Sequence, residues 1–182
     1  IVKLLQSHGA QLVVTYQNER IGERVKRLCE QFSVPGREIR LVQCDVTDSD
    51  QIEKLFEEIR EHLGTLDFLI HSIAYANRKD LQGNFSDLSL EGFNTAMGVS
   101  CYSLIPLVRQ AAPLMKNGGS VVTMTFQASQ RVFPKYNVMA LAKAALEAAV
   151  RQLAAEYGPQ QIRVNAVSAG PLNTLSARAV GG

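Results

Sequence analysis

The chain has 182 residues, 46% of them hydrophobic, 20% charged and 7% aromatic, the composition of one ordinary globular domain of about 150 residues or slightly more. A fold of this size buries roughly 70% of its unfolded surface, so its core needs neither a metal nor a disulfide staple. Nineteen Lys and Arg against seventeen Asp and Glu leave a net charge of +2, with the basic residues dispersed, which argues against a nucleic-acid partner.

In chain order, Ile1 to Leu5 followed by His8-Gly9-Ala10 reads as the second half of a helix with its terminal glycine. A strand and a loop are expected before it, and the chain reads as an internal portion of a longer protein. Short apolar runs then mark strands at 12–16, 39–43, 66–72, 121–126 and 162–167. Between the first two lies a helical stretch, Arg20 to Phe32, with Glu23 and Arg27 at i,i+4 on a solvated face. A second carries apolar residues at Ile52, Leu55, Phe56, Ile59 and Leu63, with Thr47, Asp48 and Ser49 as N-cap candidates and Gly64 as its stop. A third spans Phe93 to Met115, interrupted by Pro106, and a fourth runs from Tyr136 to Tyr157, closed by Gly158-Pro159. Cys29, Cys44 and Cys101 are widely spaced with no Cys-x-x-Cys pair and read as reduced thiols of a cytoplasmic protein without a metal site. No apolar run approaches the roughly 20 residues of a membrane helix, and no leader pattern is present.

Strands alternating with helices, apolar on both sheet faces, predict a doubly wound parallel α/β fold, Rossmann-like, in a single domain. Ligands of such sheets bind outside the carboxyl ends of the strands. The rim residues are therefore Tyr16-Gln17-Asn18, Cys44-Asp45-Val46, Ser72-Ile73-Ala74-Tyr75, Phe126 onward, and Ser168-Ala169-Gly170-Pro171.

The chemistry concentrates in Phe126-x9-Tyr136-x6-Lys143. Seven residues turn a helix by about 700°, so Tyr136 and Lys143 share a face. An ammonium near a phenol favours proton or hydrogen-bond donation to a developing oxyanion. The plainer reading is a half-buried Tyr at a helix start and a solvated Lys.

With its flanks, the stretch Phe133-Pro134-Lys135-Tyr136-Asn137-Val138-Met139-Ala140-Leu141-Ala142-Lys143 resembles the active-site helix of the bacterial enoyl-acyl-carrier-protein reductases. These form a divergent branch of the short-chain dehydrogenase/reductases. Position 140 is Ala, so the ordinary Tyr-x3-Lys of that superfamily is absent. Thr15 to Arg20, Cys44-Asp45-Val46, His71 to Ala76, Ser100 to Ser103 and Arg163 to Leu175 extend the resemblance along the chain.

The resemblance implies hydride transfer from a reduced nicotinamide to the β-carbon of a trans-2-enoyl thioester. Tyr136 would hydrogen-bond the thioester oxygen as it becomes an enolate, and Lys143 would hold the nicotinamide ribose. Phe126 stands where many members carry a second Tyr, with packing an equal role for it. Asp45 and Val46 would meet the adenine, although Asp45 also reads as a helix cap. Ser72, Ile73 and Ala74 would run past the ribose and nicotinamide, while Tyr75, Ala76 and Met139 would line the acyl pocket. Gly170, Pro171, Leu172, Asn173 and Thr174 match the loop that reaches the carboxamide and pyrophosphate, and Ser176-Ala177-Arg178 resembles the mobile loop over substrate. Gln17, in place of a basic residue, favours NADH, with NADPH possible. The implied partner is acyl carrier protein, met by Arg178, Arg131 and Lys135, and the implied assembly is a homotetramer packed on Ala140, Ala144 and Ala148. Two other readings stay open: a ketoacyl or other carbonyl reductase, opposed by the missing Tyr-x3-Lys, and a non-catalytic remnant lacking the first strand and phosphate loop.

Overall fold

The computed structural model describes residues 1–170. The chain divides into two compact units, Ile1–Thr65 and the residues from Leu66 onward. All five expected strands form, every pairing is parallel, and the strands fall into a two-stranded and a three-stranded sheet.

In the first unit, α1 (Val2–Ser7) leads to β1 (Val13–Tyr16), α2 (Glu19–Glu30), β2 (Arg40–Gln43) and α3 (Ser49–Leu63). β1 and β2 pair from Val13↔Arg40 to Tyr16↔Gln43, which brings the ends of both strands, and the residues after them, to one edge. Asn18 caps α2 by accepting from the Ile21 N–H at 3.2 Å, satisfying one of the orphan donors of a helix start. Gly22 of α2 is buried because the Tyr16 ring occupies the place a Cβ would take. In α3 the buried side chains are Ile52, Leu55, Phe56 and Ile59, the i, i+3, i+4, i+7 stripe of a helix laid on a sheet. Of the three N-cap candidates Asp48 is the cap, accepting from Asp50 and Gln51 N–H. Gly64 ends the helix at φ 70°, a conformation costly for any residue with a Cβ.

In the second unit, β3 (Phe68–His71), β4 (Gly119–Thr125) and β5 (Ile162–Ser168) form a sheet in that order. The connections are α4 (Arg78–Leu81), α5 (Leu90–Met97), a π-helical turn at Gly98–Tyr102, α6 (Leu104–Ala111) and α7 (Asn137–Tyr157). The core is built from Leu104, Val108, Val121, Val138, Ala142, Leu146 and Ile162, all essentially inaccessible to solvent. The expected helix over Phe93 to Met115 is thus four pieces, closed by a 3-10 turn at Ala112–Leu114, and the break falls at the π-turn rather than at Pro106. Pro106 occupies the first turn of α6, where a missing N–H costs nothing.

A buried carboxylate ties α4 to α5. Asp80 accepts from the Ser89 N–H at 3.1 Å and the Ser89 hydroxyl at 2.9 Å, and Ser89 in turn caps α5 through Gly92 N–H. Burial acts to raise the Asp80 pKa, and the Ser89 bonds, with Asn77 and the Lys79 charge, together outweigh it, holding the carboxyl below its ordinary value. A Cβ on Gly92 would collide with this carboxylate. Gly92→Ala is therefore expected to lower the thermal midpoint by about 4–8 °C, since overpacking a buried contact is among the larger single-residue costs. An unchanged midpoint by calorimetry would show that the Asp80 side chain swings away freely.

Candidate active site

Tyr136 is the N-cap residue of α7 and is half-buried. Its ring meets Phe126 edge-on at 5.2 Å between centroids, and Phe126 meets Phe133 at 4.8 Å. Such edge contacts place the positive rim of one ring on the negative face of the next. Phe126 directly follows β4, so the sheet edge sets where the Tyr136 ring lies. On its other side Tyr136 packs, with Ala76, Leu88, Phe93 and Met97, against a cluster of Leu81, Ala96, Val138, Met139 and Ala142. Three of the expected substrate residues, Tyr136, Met139 and Ala76, thus share one apolar cluster, and Phe126 adjoins it through Tyr136. Tyr75 is not part of it: the residue is exposed, and its hydroxyl donates to Asn77 Oδ1 at 3.3 Å. Burial raises the Tyr136 pKa above its ordinary value, so near pH 7 the side chain is a hydroxyl with a proton to donate.

Lys143 lies two turns further along α7 and is only 5% exposed, not the solvated Lys of the plainer reading. Its ammonium donates to the Met124 carbonyl at 2.7 Å, which fixes Nζ against β4 and leaves two of its three N–H bonds for another acceptor. Burial lowers the Lys143 pKa, and the Cys101 thiol acts in the opposite sense. The Tyr136 shift has burial as its cause and not the ammonium. Lower on α7, Glu147 accepts from Thr125 at 2.7 Å and Ser129 at 2.6 Å, anchoring both the end of β4 and the turn after it.

Past β3, Ser72 and Ala74 are exposed and Ile73 is half-buried. Past β5, Gly170 is exposed. Pro171, Leu172, Asn173 and Thr174, with Ser176, Ala177 and Arg178, lie outside the described residues.

In the first unit the structure joins two residues that the sequence treated separately. The Gln17 amide donates to Asp45 Oδ2 at 2.9 Å, and Asp45 Oδ1 accepts from the Thr47 N–H at 2.9 Å and hydroxyl at 2.7 Å. Burial acts to raise the Asp45 pKa, and these bonds outweigh it, leaving the carboxyl ionised more readily than usual. Asp45 does not cap α3, a task that falls to Asp48. Val46 follows it, half-buried. Cys29, Cys44 and Cys101 are buried free thiols, and burial, followed by the charges of Asp45 and Asp48, pushes Cys44 up to about 11.

The family model described as Enoyl-(Acyl carrier protein) reductase matches residues 1–182. The chain belongs to the enoyl-acyl-carrier-protein reductase family. It is 46% identical to the NADH enoyl-acyl-carrier-protein reductase of Rickettsia bellii over 181 residues, which is 100% of this chain and 68% of the relative. The corresponding enzyme of Nostoc sp. is also 46% identical over 182 residues, 100% of this chain and 70% of the relative. The chain thus spans about two thirds of their length. Among solved structures, the Bacillus cereus enoyl-acyl carrier protein reductase with NADP+ and indole naphthyridinone superposes with a TM-score of 0.95 at 42% identity, covering 100% of this chain and 70% of that one. The Anaplasma phagocytophilum reductase in complex with NAD gives 0.91 at 43%, covering 97% and 66%. This is an NAD-linked oxidoreductase of fatty-acid synthesis with the Rossmann-like fold that its strand and helix pattern foretold.

Three features of this reductase were not found from its residues. His71 is 1% exposed and sits between Thr123 and Ser103, and Ser100 bonds the backbone of Tyr75. Asp80 is the third: it is buried, and nothing in its local sequence marks it as such. A polar residue at the end of an apolar strand, as His71 is, was the one local signal available.

Proposed function

We propose that this enoyl-acyl-carrier-protein reductase reduces the trans-2 double bond of enoyl thioesters, with Tyr136 as proton donor or hydrogen-bond donor to the thioester oxygen and Lys143 as the ribose anchor. The observation that carries the reading is the placement of Tyr136: a protonated phenol at the mouth of α7, wedged between Phe126 and an apolar cluster that contains Met139 and Ala76. An apolar cluster of this kind suits an acyl chain, and a hydroxyl at its margin suits the one oxygen that gains charge. Donors aimed at charge that appears only in the transition state lower the barrier without tightening the ground state.

The residues present fit a nicotinamide dinucleotide. Lys143 has two uncommitted N–H bonds, the donor set a ribose diol needs, and the small exposed Ser72 and Ala74 admit a flat ring close to the backbone. When bound, the reduced nicotinamide would supply the hydride for the β-carbon; the alkene pair would become the double bond between the α-carbon and the carbonyl carbon, the carbonyl π pair would move to the oxygen, and a proton would later reach the α-carbon. Val46 and Ile73 would offer apolar contact to the cofactor, and Gly170, Pro171, Leu172 and Thr174 backbone or hydroxyl contact. Gln17 and Asp45 form an exposed hydrogen-bonding pair suited to the adenosine end. An ionised Asp45 held by Gln17 repels a 2′-phosphate, and Gln17 offers no cation to offset it, so NADH is the expected cofactor. Acyl carrier protein is the thioester's carrier, with exposed Arg131 and Lys135 as contacts for its acidic surface and Arg178 as a third expected contact. The exposed Ala144 and Ala148, together with Ala140, suit close helix packing in a homotetramer. Buried unpaired thiols suit the cytoplasm.

The test is loss of reduced-nicotinamide absorbance with a short trans-2-enoyl thioester, run in parallel with NADH and NADPH on the protein after its intact mass is known. Oxidation with NADH at least tenfold faster supports both the reaction and the reading of Gln17. No oxidation from a chain of the relatives' length overturns the reaction, and faster oxidation with NADPH overturns the reading of Gln17.

A further inference from the structure

The strip Ser72-Ile73-Ala74 has no regular secondary structure of its own, yet both of its ends are tied to the same turn of helix. At one end is His71, the last residue of β3. Its Nε2 lies 2.8 Å from the Ser103 hydroxyl and its Nδ1 2.8 Å from the Thr123 hydroxyl, the residue beside it in the β3–β4 ladder. The Ser103 hydroxyl donates to the Val99 carbonyl at 2.6 Å, so Ser103 accepts from His71 Nε2–H; the Thr123 hydroxyl has both Nδ1 at 2.8 Å and the His71 carbonyl at 3.2 Å within reach, and the shorter contact assigns its proton to Nδ1. The imidazole is neutral and fully partnered. At the other end is Tyr75, whose N–H donates to the Ser100 hydroxyl at 2.9 Å while that hydroxyl donates back to the Tyr75 carbonyl at 3.0 Å. Ser100 and Ser103 are both inaccessible to solvent.

The two serines are three residues apart, in and just beyond the π-turn Gly98–Tyr102. A π-turn widens the helix by one residue, and such turns recur where a helix must present side chains at a fixed site. Here the turn aims two hydroxyls at the two ends of one exposed strip. Thr123 carries the clamp onward, since its neighbour Met124 provides the carbonyl that holds Lys143.

We propose that His71, Ser100 and Ser103 are positioning residues for hydride transfer: they clamp the strip 72–74 at both ends and so set its distance from the nicotinamide ring. The inference rests on the reading of the site as an enoyl reductase. None of the three touches the reacting atoms; each acts through the backbone of the strip. Misplacing a reactant by about 1 Å can cost 10²-fold in rate with little change in affinity for the other substrate, which separates this role from ordinary packing.

The experiment compares the parent protein with Ser100→Ala, Ser103→Ala and His71→Gln. It measures kcat and KM for the enoyl thioester, NADH affinity by its fluorescence, and backbone hydrogen exchange of residues 71–76. The expected result is a fall in kcat of about tenfold or more with the thioester KM within about twofold, together with faster exchange at the Tyr75 amide in Ser100→Ala and weaker NADH binding. A thermal midpoint recorded for each variant separates loss of fold from loss of position. Unchanged kcat and NADH affinity despite faster exchange overturn the clamp, as does a loss of activity that merely follows loss of fold. A parent protein that binds NADH but reduces no enoyl thioester overturns the reductase reading itself, and the exchange and NADH-affinity data then still decide whether the clamp orders the strip.

Discussion

Tyr136→Phe is expected to lower kcat for enoyl thioester reduction by about 10²–10³-fold, the usual cost of removing one donor from a developing oxyanion. The ring stays, so its edge contact with Phe126 and its place against Met139 and Ala142 stay too, and NADH affinity should hold within about twofold. Lys143→Met behaves differently. Its aliphatic stem is kept, but the 2.7 Å bond to the Met124 carbonyl is lost, and the two spare N–H bonds go with it. NADH binding should weaken about tenfold or more, along with turnover, because a lost charge-assisted hydrogen bond is worth about 1.5–3 kcal/mol. Steady-state kinetics with a fluorescence titration of NADH reads both variants. Small, equal effects from the two substitutions would show that neither side chain has the role assigned to it.

The contrast between those two residues shows what a sequence carries about such a site. That Tyr136 and Lys143 share a helix face follows from helix geometry alone, and α7 forms over nearly the expected residues because its Ala-rich run has no competing preference. The stripe Ile52, Leu55, Phe56 and Ile59 was legible for the same reason: its spacing is local. What Lys143 does with its charge was not legible, because its partner is a backbone carbonyl on β4, and any residue type at 124 would supply one. The bonds of His71 reach 52 residues along the chain to Thr123 and 32 to Ser103, and no periodicity encodes a pairing of that kind. The π-turn was hidden similarly. Its residues have helical spacing on both sides, and the extra residue is stabilised by what Ser100 and Ser103 meet in the folded protein. Asp45 fell between these cases, since its position after a strand was readable and its engagement by Gln17 required the parallel register of β1 and β2.

Acid should destabilise the second unit through His71 before any carboxylate takes part. Burial, with the Lys143 charge acting in the same direction, lowers the His71 pKa from 6.5 to about 4. As pH falls below 6.5 the unfolded chain takes up a proton at this residue while the folded one does not, so stability present in full above pH 6.5 is lost progressively until about pH 4. Below that both states are protonated and the loss from this residue stops. At 1.36 kcal/mol per unit, the full effect is about 3 kcal/mol, a large part of the 5–15 kcal/mol that a domain typically has. The favourably bonded carboxylates Asp45, Asp48, Asp80 and Glu147 have pKa values held below their ordinary 3.8 or 4.5, so their contribution is lost at lower pH than most of the His71 window. Urea unfolding at intervals between pH 7 and 4 should therefore give a stability that falls with acid in the parent. It should fall much less in His71→Gln, whose amide can still reach Ser103 but takes up no proton. Parallel slopes for the two proteins would mean that His71 is already protonated in the folded state, and the neutral, fully partnered imidazole between Ser103 and Thr123 would have to be abandoned.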